Sequence, residues 1–433
     1  MNLTEDQIFA LAPDESSKKS GRELANPSKW VSKAINEKAL WGECQGSGSK
    51  PYQTQIDIID IAFKCSCPSR KFPCKHGLGL LLLYARQKND FKISPAPAWV
   101  EDWISKRGGK QESKTEKAEK PVDEAAQAKR QQARQKKVND GIEELLRWIK
   151  DIIRNGIISI PEKENAWFEN MARRMVDAQA PGLAGMVRNL GAVNFFSEGW
   201  QTSFMDRLLR LFMILQGYKN SDDLNESLLA DIRAAIGFTQ NQEELKEHKG
   251  VNDTWLVLGK QITEEDNLTT ERNWLFGTNT RQYALVLQFL IRGQGAQYAL
   301  TPGQVMEAEL VFFPSAIPLR AIIKSQMNAS IPLSVTGFGN WQEVGAFETE
   351  LTSKLPFRNE RPYIIEQLTP VWHNQQWWLQ DNQSAIMPVK AGFVNIWTVL
   401  SLSGGAPLHM AVIGKEKEYE PVGVWYNNEY KII

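Results

Sequence analysis

The chain of 433 residues carries 51 Lys and Arg against 51 Asp and Glu, a formal net charge of zero, and is 42% hydrophobic and 24% charged. That balance excludes a global electrostatic attraction to nucleic acid or to a membrane surface, so any such contact has to come from a local patch. Four cysteines, three of them between positions 65 and 74, are not the evenly spread framework of a secreted disulfide protein, and free thiols in a reducing cytoplasm are expected.

The chain opens "MNLTEDQIFALAPDESSKK", with early acidic residues and no apolar run of signal-peptide length. Thr4 and Gln7 have capping-box spacing, and Trp30, Val31 and Ile35 recur at roughly helical intervals, so residues 1–40 are predicted as short helices. In "LWGECQGSGSKPYQTQIDIIDIAFKC" a Gly/Ser turn is followed by Ile56, Ile58, Ile61 and Phe63, the pattern of a hairpin leading into Cys65. "GLGLLLLYA", residues 77–85, reads as a buried helix; it is about half the roughly 20 residues that span a bilayer, and no membrane span is expected.

Residues 105–137 are poor in apolar side chains and read as a charged linker, flexible at Gly108 and Gly109 and helical by composition after Asp123. Helical stripes follow. Ile142, Leu145, Leu146, Ile149, Ile152 and Ile153 fall on one face, Leu224, Leu228, Ile232 and Ile236 on another, and "MDRLLRLFMILQ" between them is apolar enough for a core helix. From about Asp253 short β-rich runs take over: "TWLVLG", "RNWLFG", "YALVLQFLI", "AELVFFP", "FVNIWTVLSL", "HMAVIG" and "GVWY". Eight of the fifteen tryptophans lie in this last region. Half-buried strand positions account for most of them, and an aromatic ligand platform for a few at most.

The chemistry concentrates in "CSCPSRKFPCKHG", residues 65–77. Three thiolates and one imidazole are an established tetrahedral zinc set, and Cys65, Cys67, Cys74 and His76 supply it. Pro68 and Ser69 provide a turn after the paired cysteines, and His76 ties the knuckle to the start of the following helix. A divalent ion on three thiolates leaves one net negative charge. Lys64, Arg70, Lys71 and Lys75 surround it, favouring the thiolate form and making a small basic patch that could meet phosphate. Cys44 is either an alternative ligand or a packed thiol.

"CSCPSRKFPCKH" resembles the SWIM zinc-binding domain in its C-x-C-x(n)-C-x-H pattern, and "LWGECQGSGSKPY" resembles the segment that leads into it in bacterial SWIM zinc finger proteins. The specific likeness covers about residues 38–85; a softer one extends through "MARRMVDAQAPGLA" (171–184) and "AELVFFPSAIPLRA" (308–321). The resemblance implies a ββα zinc knuckle with a role in binding DNA or protein. Long bacterial relatives often stand beside genes for MoxR-type AAA+ ATPases and von Willebrand factor A proteins, which implies an adaptor with a partner of that kind.

No nucleotide or catalytic motif competes with this reading. "GECQGSGSK" fails the P-loop spacing and reads as a turn. His248, His373 and His409 stand alone and read as surface or hydrogen-bonded core residues, and Glu264, Glu265 and Asp266 read as a solvated hairpin turn. The expectation is therefore an α+β multidomain chain: residues 1–104 with a small ββα zinc knuckle, the linker 105–137, a helical region 138–250 and an antiparallel β-rich region 251–433. Its expected role is a nucleic-acid- or protein-binding adaptor with structural zinc and no catalytic residues of its own. The alternatives are a DNA-binding accessory factor, or an enzyme with an unrecognised site in the C-terminal half.

Overall fold

Thr4 and Gln7 close the capping box in both directions: Thr4 N donates to Gln7 Oε1 at 2.9 Å and Gln7 N to Thr4 Oγ1 at 3.3 Å, opening α1 (Glu5–Phe9). The computed structural model describes residues 3–9, 11–46, 48, 50–58, 61–69, 71–105, 124–265, 268–291, 298, 300–328, 335–357 and 360–433. Arg70, Asp266 and the linker residues 106–123, Gly108 and Gly109 among them, lie outside the described residues. A second helix, α2 (Glu15–Leu24), is capped by Asp14, whose carboxylate accepts from Ser17 N at 2.7 Å.

The helix predicted around Trp30 is a strand instead. β1 (Trp30–Ile35) pairs antiparallel with β2 (Ala39–Cys44), and Val31, which a helical stripe would bury, is 64% exposed. Asn36 makes the turn, its side chain accepting from Lys38 N and Ala39 N; pairing with a neighbour overrides the weak helical spacing of three residues. β3 (Tyr52–Asp57), β4 (Ala62–Cys65) and the short β5 (Lys92–Ile93) complete a sheet ordered β4-β3-β2-β1-β5. The predicted hairpin is present, with Ile56 opposite Phe63 and Thr54 opposite Cys65.

One face of this sheet presents Leu40, Cys44, Ile56 and Phe63 to Ile8 of α1 and to the leucines of α3 (Lys75–Arg86). The other face, with Ala39 and Trp41, lies under Val100 of α4 (98–105). Glycines set how closely α3 can approach. A Cβ on Gly77 would stand 2.7 Å from the Phe63 ring, and one on Gly79 2.7 Å from Leu24 Cβ of α2, so larger residues would push α3 off its seat.

Five helices follow: α5 (Glu124–Asn155), α6 (Asn165–Asp177), α7 (Pro181–Gly191), α8 (Trp200–Lys219) and α9 (Glu226–Ile236). They enclose a single core that takes Ile142, Leu145, Leu146, Ile149 and Ile152 from α5, Leu208, Leu211, Ile214 and Leu215 from α8, and Ile232 and Ile236 from α9. Ile153 departs from the predicted stripe and is 50% exposed, because one residue past Ile152 turns the side chain about 100° round the helix. Leu224 and Leu228 are half-buried at the edge of the same core. α5 runs unbroken across residue 137, and the short α10 (Gln242–Glu247) closes the region.

Next comes a closed barrel of β6 (Val251–Glu265), β7 (Leu268–Gly277), β8 (Tyr283–Ile291), β9 (Val305–Phe312) and β10 (Arg320–Asn328), ordered β10-β8-β7-β6-β9. Numbered within the barrel, the strands run 1-2-3-5-4 and back to 1, with the third and fifth parallel and the other pairs antiparallel. This is the connectivity of an OB barrel. Glu265 pairs with Leu268, so the acidic run does mark a hairpin. Trp255, Val257, Leu275, Val286, Met306 and Leu310 fill the interior. Toward one end the interior turns polar: Lys260 Nζ lies 3.3 Å from Glu271 Oε2, to which Gln288 Nε2 also donates at 3.3 Å.

The C-terminal sheet joins β11 (Glu360–His373), β12 (Gln376–Gln380), β13 (Ile386–Pro388), β14 (Leu408–Lys415), β15 (Glu418–Tyr426) and β16 (Glu429–Ile432) in the order β13-β12-β11-β14-β15-β16. On one face α11 (Trp341–Lys354) and α12 (Ile396–Ser403) pack over Tyr363, Ile365, Met410 and Val412. Most of "FVNIWTVLSL" is thus helix, not the strand expected. Ile396, Val399 and Ser403 are its buried positions, and Gly404 ends it in the left-handed conformation. The opposite face, with Ile364, Ala411, Ile413 and Val422, packs on Leu256, Leu258, Trp274, Phe276 and Leu285 of the barrel wall. Among the described residues no helix is long and apolar enough to cross a membrane.

Candidate metal centre

β4 ends at Cys65, Cys67 sits in the loop beyond, Cys74 is the N-cap of α3 and His76 lies in that helix's first turn. The strand end and the helix start therefore hold two pairs of ligands against each other. One ligand atom from each of the four residues lies within 4.8 Å of all the others. His76 Nδ1 is 3.7 Å from Cys65 Sγ and 3.9 Å from Cys74 Sγ. Sulfur and nitrogen bound to one tetrahedral zinc would be about 3.6 Å apart, so the residues fit that ion through Nδ1 of the histidine. Four protein ligands would leave no position for water, and zinc held by them would supply a cross-link rather than a Lewis acid.

Backbone amides line the sulfurs. Cys67 N–H donates to Cys65, Ser69 N–H to Cys67 and Gly77 N–H to Cys74, each two or three residues on, as the turn at Pro68 and the start of α3 require. The Cys74 thiol holds the Cys65 sulfur in its thiolate form, well below the usual thiol range, while that same bond and burial push Cys74 up; burial also raises Cys67. A cation in the centre reverses this, since a ligating thiol is deprotonated. Two supports come from β3 and escape a reading of the motif alone. The Thr54 hydroxyl lies 3.2 Å from Cys65 Sγ, and the Tyr52 ring packs 4.9 Å from the His76 ring. Their signal is period two along a strand paired with β4.

Cys44 is not part of the cluster. It is fully buried in the core beneath the sheet, its Sγ 3.9 Å from Gln45 O, and burial pushes its thiol up to about 11. Three of the four basic residues fall in the described part of the finger. Lys64 is exposed, but alternation along β4 turns it to the sheet face opposite Phe63 and Cys65. Lys71 is ion-paired to Asp14 at 2.7 Å, and together with Ser17 it holds that carboxyl down to about 2. Lys75 is exposed at the first residue of α3, and Arg70 is outside the described residues.

The other histidines lie elsewhere. His248 and His373 are exposed. His409 is half-buried and stacked on Trp425 at 4.4 Å, but its Nε2 has no hydrogen-bond partner among the described residues, and burial lowers the ring's pKa, favouring the neutral form. A cleft of about 310 Å³ between barrel and C-terminal sheet is lined by Lys260, Gln261, Lys390 and Glu420. Its polar groups are engaged with one another: Glu420 accepts from Gln261 at 2.7 Å and from Lys390 at 2.9 Å.

The family model of the SWIM zinc finger matches residues 64–85, and that of the SWIM-associated four-helix bundle domain matches residues 133–236, the stretch holding most of α5 and the helices through α9. Comparison with curated proteins and with solved structures returned no match. The chain carries a SWIM zinc finger, with Cys65, Cys67, Cys74 and His76 as its Cys3His zinc site, and the helical bundle domain associated with such fingers.

Proposed function

We propose that this protein is a zinc-dependent adaptor that engages a protein partner, the zinc serving only to hold the finger in shape. The observation that carries this reading is the engagement of two of the finger's cations: Lys64 turns away from the metal side and Lys71 is paired with Asp14. Nucleic-acid binding needs several cations tracking one phosphate backbone. The barrel adds to it. OB barrels take oligonucleotides on the face of their second and third strands, and here Trp274, Phe276 and Leu285 of that face are buried against the C-terminal sheet. The first partners to try are a MoxR-type AAA+ ATPase and a von Willebrand factor A protein, the classes that the SWIM resemblance implies.

A second reading, nucleic-acid binding at the finger, is favoured by Lys75, which stands exposed beside the metal site with no ion-pair partner among the described residues. Fluorescence anisotropy of labelled single-stranded and duplex DNA and RNA, titrated with zinc-loaded protein at two salt concentrations, separates the two. The adaptor reading expects no salt-sensitive binding, and partner binding that survives replacement of Arg70, Lys71 and Lys75 by alanine. Salt-dependent binding lost in that triple variant would overturn it in favour of nucleic acid.

A further inference from the structure

Two tryptophans of the C-terminal sheet and one of α12 form an open groove. Asn374 and Gln375, both at positive φ, make the two-residue turn between β11 and β12, and this turn fixes Trp372 opposite Trp377. Their ring centroids are 5.1 Å apart and tilted by 59°, and the Trp397 ring of α12 meets that of Trp377 edge-on at 5.7 Å and 81°. Trp377 is half-buried against the core beneath it, whereas Trp372 is 59% and Trp397 70% exposed. One indole is thus a floor and two are walls.

The segments that carry the three indoles are poor in charge. From Gln367 to Gly414 the only Asp, Glu, Lys or Arg residues are Asp381 and Lys390. Asp381 turns its carboxylate onto the amides of Trp341, Gln383 and Ala385, and Lys390 is paired to Glu420. These segments offer a phosphate backbone or a charged peptide no free counter-charge. The hydrogen-bonding capacity is one-sided as well. The Trp378 indole N–H donates to His373 O, but those of Trp372, Trp377 and Trp397 donate to nothing among the described residues. An indole N–H can only donate, so the groove wants a ligand that mainly accepts.

We propose that the Trp372–Trp377–Trp397 groove is a docking site for a proline-rich segment of a partner protein in the polyproline II conformation. Proline has a carbonyl and no N–H, and the polyproline II helix has no internal hydrogen bonds, so its carbonyls are free to accept from the indoles. It is neutral and pays little ordering entropy on binding. Its three-residue repeat gives it ridges, which fit notches between steeply tilted rings; a sugar ring stacks best on a flat, fully open indole face, and the floor ring here is half-covered. The site stands apart from the finger, and the inference does not depend on the adaptor reading above.

The test uses the full-length, zinc-loaded protein with its indoles labelled with nitrogen-15 and a decaproline peptide as probe. Decaproline should shift three indole N–H resonances, those altered or missing in Trp372→Ala, Trp377→Phe and Trp397→Ala variants. Fluorescein-decaproline anisotropy should weaken about tenfold or more in Trp397→Ala, as for an aromatic anchor, and less in Trp397→Phe, which keeps the ring and loses the donor. Trp372 and Trp397 are exposed, so their replacement should leave the fold intact, which the unshifted remainder of the indole spectrum verifies. No response to decaproline, or equal binding by a Gly-Ser peptide, would overturn the proposal. So would the same three resonances moving with maltoheptaose and not with decaproline, or with protein concentration in a self-association that Trp397→Ala abolishes.

Discussion

The finger and the barrel-and-sheet half are held together by different physics. In the finger, α3 and the β3–β4 hairpin meet over a modest core, and the strand end and helix start are tied to each other through four ligand atoms within 4.8 Å. In the C-terminal half the barrel has its own core around Trp255, the sheet has another around Trp341 and Tyr363, and a third apolar layer joins them. A small unit can lean on one ion because metal binding there is folding free energy. The larger unit buries enough surface to stand on packing alone.

Removing the metal should break this comparison most sharply. Zinc contributes about 10–16 kcal/mol to small zinc-finger peptides, comparable to the whole stability of a domain at about 5–15 kcal/mol. Chelation, or Cys74→Ser, should abolish hydrogen-exchange protection in residues 52–57 and 75–86 while protection in the barrel strands persists. Loss of protection in both halves together would mean that they are not energetically separate.

A cut at the barrel should do the reverse. Glu271→Ala strands the buried Lys260 ammonium, and breaking such a pair costs about 3–5 kcal/mol. Urea unfolding should report that loss in the C-terminal transition with zinc content unchanged, and the double variant Lys260→Met, Glu271→Leu should recover most of it. An equal loss in both variants would contradict a charge-based account.

Acid probes the same half more gently. Burial lowers the His409 pKa below its ordinary value of 6.5, so the unfolded chain takes up the proton first. That contribution to stability is whole above pH 6.5 and falls as the pH drops from 6.5 through the folded value, with a slope of at most about 1.4 kcal/mol per pH unit. His409→Phe keeps the stacking on Trp425 and should flatten the profile between pH 7 and 5. The smallest effect belongs to the finger's surface. Lys71→Ala removes an exposed ion pair, and the finger should unfold at nearly the same urea concentration at pH 7. The contribution from Asp14 should be present above pH 3.8 and lost as the pH falls through about 2; a clear drop at pH 7 would show Lys71 to be structural.

What the sequence disclosed follows from how local each feature is. The four ligands lie within twelve residues, so their chemistry is legible without a fold. The stripe of α5 is nearly as local, and only Ile153, one step too far round the helix, departs from it. The sequence of β1 and α12 suggests the wrong period because short apolar runs carry too few positions to separate 3.6 from 2. Asn36 after β1 and the Gly404–Gly405 pair after α12 were the signals that would have separated them. Closure of the barrel through the parallel β8–β10 pair, and the meeting of Lys260 with Glu271, depend on contacts between distant strands that no local pattern encodes.

Cys65, Cys67, Cys74 and His76 offer zinc a complete ligand set, a closed cross-link with no place for water. X-ray absorption at the zinc edge of the purified protein tests it most directly. One zinc per chain is expected, with three sulfur neighbours at about 2.3 Å and one nitrogen at about 2.0 Å. A light-atom shell with a bound water, or fewer than three sulfurs, would contradict it and return a catalytic or transient metal to consideration.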